Sequence, residues 1–245
     1  MKKLLLLLMV GCLISTGCTK KEIVLEQTEV TLHHGDTYQI LAESPTAITY
    51  LSENQYHADV DNNGLVTANF VGETDIILQN ANDEKRVHVK VEPTNFSVKD
   101  IGVKIGDSMS YVLEKFGEPL GEDLLMENYT MMVYSNTEYG MALGFVFDEN
   151  DKVVLYLIGD NANMATEMKK YAEERYKYLG PYSSDGYPGD EYINALTLQE
   201  ATMSVVCFMM DDLMAGIEFG TPEIIALMAD DPVDVKNCFK KAIFR

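Results

Sequence analysis

The chain has 245 residues, with 39 acidic against 19 basic side chains, a formal charge of -20 and no tryptophan. Such acidity excludes a nucleic-acid surface, whose phosphates require clustered Lys and Arg. It also excludes docking onto anionic lipid by charge alone, and solubility accounts for it.

The N-terminus reads as a targeting segment. Lys2 and Lys3 precede an apolar run from Leu4 to Ile14 that is too short to span a bilayer, followed by Ser15-Thr16-Gly17-Cys18. The Gly17-Cys18 junction resembles the lipobox of bacterial lipoproteins, although Ser15 stands where that family usually has leucine. The resemblance implies a signal peptide at 1–17, a lipid on Cys18 and a short tether at 18–21. Cys12, after Gly11, is the poorer candidate because too little apolar sequence precedes it. Cleavage before Cys18 removes Lys2 and Lys3, taking the charge from -20 to -22. The membrane contact expected is therefore the anchor, and the expected location is the bacterial cell envelope, at the outer membrane on its surface or periplasmic face.

Residues 22–93 alternate apolar and polar positions with period two, as at Tyr38, Ile40 and Ala42 or Val87, Val89 and Val91. Turn signals at His34-Gly35-Asp36, Ser44-Pro45 and Val71-Gly72-Glu73 punctuate them, which predicts a small all-β sandwich. Asp59, Asp61, Asn63 and Gly64 imitate the start of a calcium loop. The closing position twelve residues in is Phe70, which has no oxygen to give, and the flanks favour strands. Asn62-Asn63-Gly64 therefore predicts a hairpin turn. The run Tyr50-Leu51-Ser52, Asp61-Asn62-Asn63-Gly64-Leu65-Val66-Thr67-Ala68 and Gly72-Glu73-Thr74-Asp75-Ile76 resembles the group 2 bacterial immunoglobulin-like domains. Tyr50 replaces the usual tryptophan. The resemblance implies a spacer or adhesion module.

Residues 94–98, after Pro93, read as a linker, and 99–220 as an α+β domain of two helix-plus-antiparallel-strand repeats about sixty residues apart. The first copy has a helix over 107–116 and strands at 141–147 and 153–158; the second has a helix over 164–178 and strands at 203–209 and 213–219. The pattern Ile105-Gly106-Asp107, helix, Gly117-x-Pro119, aromatic strand, Phe147-Asp148 resembles small helix-plus-three-strand lipoproteins of outer-membrane assembly. Its doubling is similar to tandem β-lactamase inhibitor proteins. Both groups bind proteins without catalysis. Thr221-Pro222-Glu223 and Asp231-Pro232-Val233-Asp234 then start two C-terminal helices within 221–245.

No catalytic or metal motif emerges, and no cofactor is expected. All four histidines, His33, His34, His57 and His88, lie in the immunoglobulin-like part, leaving the larger domain without an imidazole base. Glu173-Glu174 beside Lys169, Lys170 and Arg175 reads as an exposed face, with Lys170 and Glu174 at salt-bridge spacing. Cys207 and Cys238 remain after lipidation, as a disulfide or as two buried thiols. Tyrosines gather between 171 and 192; Tyr171 and Tyr178 fall on one helical face, while Tyr182 and Tyr187 fall in a Gly-, Ser- and Pro-rich loop of the kind that recognises partners.

The expected function is a non-catalytic, lipid-anchored envelope protein whose immunoglobulin-like module presents the α+β domain to a protein or glycan. An inward-facing periplasmic assembly or inhibitor protein is the alternative, and a carboxylate-based glycan hydrolase the third reading.

Overall fold

The structure, a computed structural model, describes residues 22–230 except 127, 185–186, 210–211 and 213. The signal segment, Cys18, Cys238 and the second C-terminal helix expectation lie outside the described residues.

The N-terminal unit is built from β1 (Val24–Leu25), β2 (Glu29–His33), β3 (Thr37–Gln39), β4 (Ala42–Glu43), β5 (Thr49–Ser52), β6 (Ala58–Val60), β7 (Leu65–Ala68), β8 (Gly72–Gln79) and β9 (Glu84–Glu92). A four-stranded sheet, β2-β9-β8-β5, faces a three-stranded one, β3-β7-β6, and β1 pairs with β4. β2 runs parallel to β9, while the other pairs are antiparallel. Period-two alternation drives this packing: Ile76, Leu78, Val87 and Val89 are fully buried, and Val66 and Ala58 meet them from the second sheet.

The calcium-like stretch is the β6–β7 turn. One Asp61 carboxylate oxygen accepts the amides of Asn63 (2.8 Å) and Leu65 (2.9 Å). These amides, Leu65's foremost, hold the Asp61 carboxyl below the usual carboxylate range. Gly64 closes the turn at φ +80°, and a Cβ there would come within 2.8 Å of the Tyr50 ring. The aromatic at 50 and the glycine at 64 are thus one packing unit.

The larger unit begins with α1 (Met109–Phe116), where the Ser108 hydroxyl accepts the Tyr111 amide at 3.2 Å. Then come β10 (Gly121–Met126), β11 (Tyr129–Thr137), β12 (Gly140–Phe147) and β13 (Val153–Asn161). A 3-10 turn (Ala162–Met164) leads into α2 (Ala165–Arg175), β14 (Lys177–Ser184), β15 (Tyr187–Ile193), β16 (Ser204–Met209), β17 (Met214–Gly220) and α3 (Pro222–Asp230). All eight strands form one antiparallel sheet in the order β10-β11-β12-β13-β17-β16-β15-β14. At its centre Leu157 of β13 lies opposite Glu218 of β17. α1 and α2 pack Val112, Met168 and Ala172 against Phe145, Phe147, Val205 and Ile217 on one face. α3 packs Ile224 and Ile225 against Leu155, Val206 and Met131 on the other.

Three expectations are corrected here. α1 and α2 are each followed by four strands, not three, because the charged GEDLLM and the Gly-Pro-containing KYLGPYSS are strand sequences only by virtue of their neighbours. The second helix stops at Arg175, with Tyr176 already extended (φ -135°, ψ 144°), so Tyr178 is 50% exposed on β14 and not beside Tyr171 in a helical core. The region expected as a recognition loop is the β14–β15 hairpin: Tyr182 is only 9% exposed, with its hydroxyl donating to the Ile225 carbonyl at 3.4 Å, and Tyr187 packs against the same core. The loop premise for Tyr182 and Tyr187 is therefore removed.

Cys207 faces the α2 side, buried, with its thiol donating to the Met168 carbonyl at 3.5 Å. Burial, with Asp190 nearby, pushes the thiol up to about 12. At pH 8 the thiolate fraction is then roughly one in ten thousand. Iodoacetamide should leave Cys207 unmodified in the native protein and alkylate it within minutes in denaturant, read by mass spectrometry. Rapid native labelling would contradict this burial.

Candidate functional site: the junction between the two units

The turn between β5 and β6 is shaped by Asn54, whose side-chain oxygen accepts the Tyr56 amide at 3.0 Å. This projects Tyr56 onto the larger unit, where its hydroxyl reaches the carbonyls of Arg175 (2.7 Å) and Ile193 (3.2 Å). The Val71 amide adds a bond to the Glu174 carbonyl at 2.9 Å. Behind Tyr56, the Phe70 ring stacks at 4.7 Å and His57 sits edge-on at 5.4 Å. Desolvation raises the Tyr56 hydroxyl well above its ordinary range, and it stays a neutral donor.

The linker is clasped as well. One carboxylate oxygen of Glu174 accepts the amides of Thr94 and Asn95, both at 3.0 Å, and the other accepts the Thr94 hydroxyl. Arg175 donates to the Asn95 carbonyl at 3.0 Å while its guanidinium lies 3.9 Å from the Tyr171 ring centre. Asn95 in turn donates to Glu167 at 2.9 Å. The face expected to be an exposed ion-pair row is thus divided: Lys170 pairs with Glu167 at 2.8 Å, and Glu174 turns inward.

Two clefts flank this clasp. The larger, about 1010 Å³, is lined by Asn54, Tyr56, His57, Tyr171, Arg175 and Asn194 among others. The smaller, about 660 Å³, is lined by residues that include Phe70, Glu173, Glu174, Tyr176, Tyr178 and Tyr192. Both sizes suit a small ligand or a side chain, and domain boundaries are where such pockets concentrate. Burial alone would push the Glu174 carboxyl up; the Thr94 hydroxyl and the two linker amides outweigh it and hold it low. Glu167 is also held low, chiefly by Lys170. Carboxylates tuned downward accept hydrogen bonds at neutral pH and do not supply protons. Glu191, half-buried in β15, is pushed up by desolvation and receives the Ser204 hydroxyl at 3.0 Å, but lines neither cleft.

Tyr182 and Tyr187 are not brought to this junction, and Cys207 lies beneath α2. Sequence reasoning did not find Tyr56, read Glu174 as part of an exposed ion-pair face, and saw Tyr192 only as the end of a run of tyrosines. The one available signal was a short polar linker whose amides need acceptors, beside a helix with adjacent glutamates.

Residues 21–91 match the family model of the bacterial Ig-like domain (group 2), which makes the N-terminal unit an immunoglobulin-like domain. No curated protein matches the chain. Among solved structures, an extracellular protein containing a SCP domain from Bacillus anthracis str. Ames is similar at 14% identity. That alignment covers 56% of this chain and 51% of that one, with a TM-score of 0.30, so this chain spans about half of that structure. Domains 5–6 of the S-layer protein SbsC are similar at 14% identity over 81% of this chain and 95% of that one, with a TM-score of 0.25.

Proposed function

We propose that this chain is a non-catalytic cell-envelope module, anchored by lipid on Cys18, that recognises a protein or glycan at the junction of its two units. The observation that carries the reading is the clasp. Tyr56, Glu174 and Arg175 hold the immunoglobulin-like domain against the larger one, leaving two walled clefts instead of a free linker. The matched Ig-like family fits an envelope or extracellular setting. A role without chemistry is supported by two of the smaller cleft's three carboxylates, Glu167 and Glu174, which are committed to holding the linker. We further read the two halves of the large sheet as copies of one unit, each a helix followed by four strands and meeting at the Leu157–Glu218 pair.

The test begins with Cys18→Ala. Metabolic palmitate labelling should disappear and the protein should leave the membrane fraction. Labelling that persists in the variant would sink the anchor. Protease treatment of intact against lysed cells then separates a surface-facing module from a periplasmic one. Degradation only after lysis would favour an inward-facing assembly or inhibitor role. For recognition, immobilised wild-type chain should retain envelope protein or glycan that a Tyr56→Ala chain does not; equal retention would remove the junction from the reading.

A further inference from the structure

Two tyrosines occupy matching places in the sheet and meet different fates. Tyr134 on β11 lies opposite Leu143, and Leu143 opposite Ile158. Tyr192 on β15 lies opposite Val205, and Val205 opposite Phe219. Ile158 and Phe219 each follow one member of the central Leu157–Glu218 pair, so the two registers correspond. The Tyr134 hydroxyl donates to the Gly117 carbonyl at the end of α1, at 3.2 Å. The Tyr192 side chain is fully buried, yet its hydroxyl has no hydrogen-bond partner among the described residues, and it lines the smaller cleft. A buried hydroxyl left unbonded is costly, and native structures rarely leave one so without a use for it.

The charges around this cleft leave a remainder. Lys170 pairs with Glu167 at 2.8 Å, Lys169 with Asp190 at 2.8 Å, and Arg175 with Glu174 at 3.4 Å. Glu173, exposed on α2 and lining the same cleft, is in no ion pair among the described residues. Its field reaches the Tyr192 hydroxyl. The rings of Phe70, Tyr176 and Tyr178 form part of the wall, the last edge-on to Tyr192 at 5.5 Å, and Lys170, Thr94 and Asn95 line it as well.

We propose that the smaller cleft takes a primary ammonium on an aliphatic stem, the lysine side chain of a partner protein. The ammonium pairs with Glu173 and, once a small side-chain movement uncovers it, donates to the Tyr192 hydroxyl, while the stem lies along the rings. A monocation matches the single unpaired carboxylate. The rings match methylenes, and the wall's polar groups are already bonded, Thr94 to Glu174 and both Asn95 and Lys170 to Glu167, which leaves little for the hydroxyls of an amino sugar. This inference rests on reading the junction as a recognition site.

The test is a titration of the isotopically labelled full chain, followed by amide chemical shifts, with three probes: Nα-acetyl-lysine methylamide, its norleucine counterpart and glucosamine. Saturable shifts are expected near Phe70, Tyr178 and Tyr192 with the lysine probe, and binding about tenfold weaker with the uncharged norleucine probe. Glu173→Gln and Tyr192→Phe should each weaken the lysine probe several-fold with no loss of thermal stability. Tyr134→Phe should lower the melting temperature and leave binding unchanged. Equal binding of norleucine, preference for glucosamine, absence of saturable shifts, or full lysine binding by both cleft variants would overturn the proposal. Should these fail while Tyr56→Ala still abolishes envelope retention, only the lysine assignment falls; failure of both removes the recognition site itself.

Discussion

Gly72→Ala should destabilise the immunoglobulin-like domain by about 3–4 kcal/mol. Two effects combine. Gly72 opens β8 at φ +145°, a conformation that side-chain-bearing residues rarely adopt. A Cβ there would also come within 2.2 Å of the His57 ring. That ring borders the larger cleft, so it can turn away only by giving up its Nδ1 contact with the Phe70 carbonyl at 3.2 Å and its edge-on contact with Tyr56. Any accommodation must therefore move the aromatic group that holds the junction. Equilibrium urea unfolding of wild type, Gly72→Ala, His57→Ala and the double variant separates the terms. The double variant should recover the steric share, roughly 1–2 kcal/mol, and keep the backbone share. A single variant within about 0.5 kcal/mol of wild type would show that the β8 start tolerates a side chain.

The sequence was most legible where one local rule decided the outcome. Alternation along Val87, Val89 and Val91 located buried strand faces, and the failed twelfth position at Phe70 separated a hairpin from a metal loop. Thr221-Pro222 marked a helix start correctly. Reading failed where tertiary pairing overrode local character. Lys177–Ser184 contains Gly180 and Pro181, and is a strand because it is an edge: its one neighbour is β15, and proline costs little on an unpaired side. The same override converted Tyr182 from a loop residue into core. The junction was illegible for another reason. Helical spacing shows that Lys170 and Glu174 share a side of α2, but not that the linker and Tyr56 arrive there from residues 80 and 119 positions away. Tyr192 was visible only as the last of a run of tyrosines; its unbonded hydroxyl is a fact of packing.

Glu174→Ala should uncouple the two units at a cost of about 2–4 kcal/mol. The carboxylate is mostly buried, its side chain 13% exposed, and the substitution strands the Thr94 and Asn95 amides and deprives Arg175 of its counter-charge. None of these groups belongs to the core of either unit. The loss should therefore fall on their coupling: one cooperative transition in calorimetry should become two, and the Thr94 and Asn95 amides should exchange faster. Acid should reproduce the effect. The folded Glu174 carboxyl is held below its usual value, so its contribution is fully present above the unfolded value near 4.3 and is lost as pH falls through the folded one. The two-step transition should thus emerge in wild type below about pH 4. Glu174→Gln, which has no carboxylate to protonate there, should show two steps already at pH 7. A single transition in both variants at neutral pH would mean that Tyr56 and the Val71 amide suffice to couple the units.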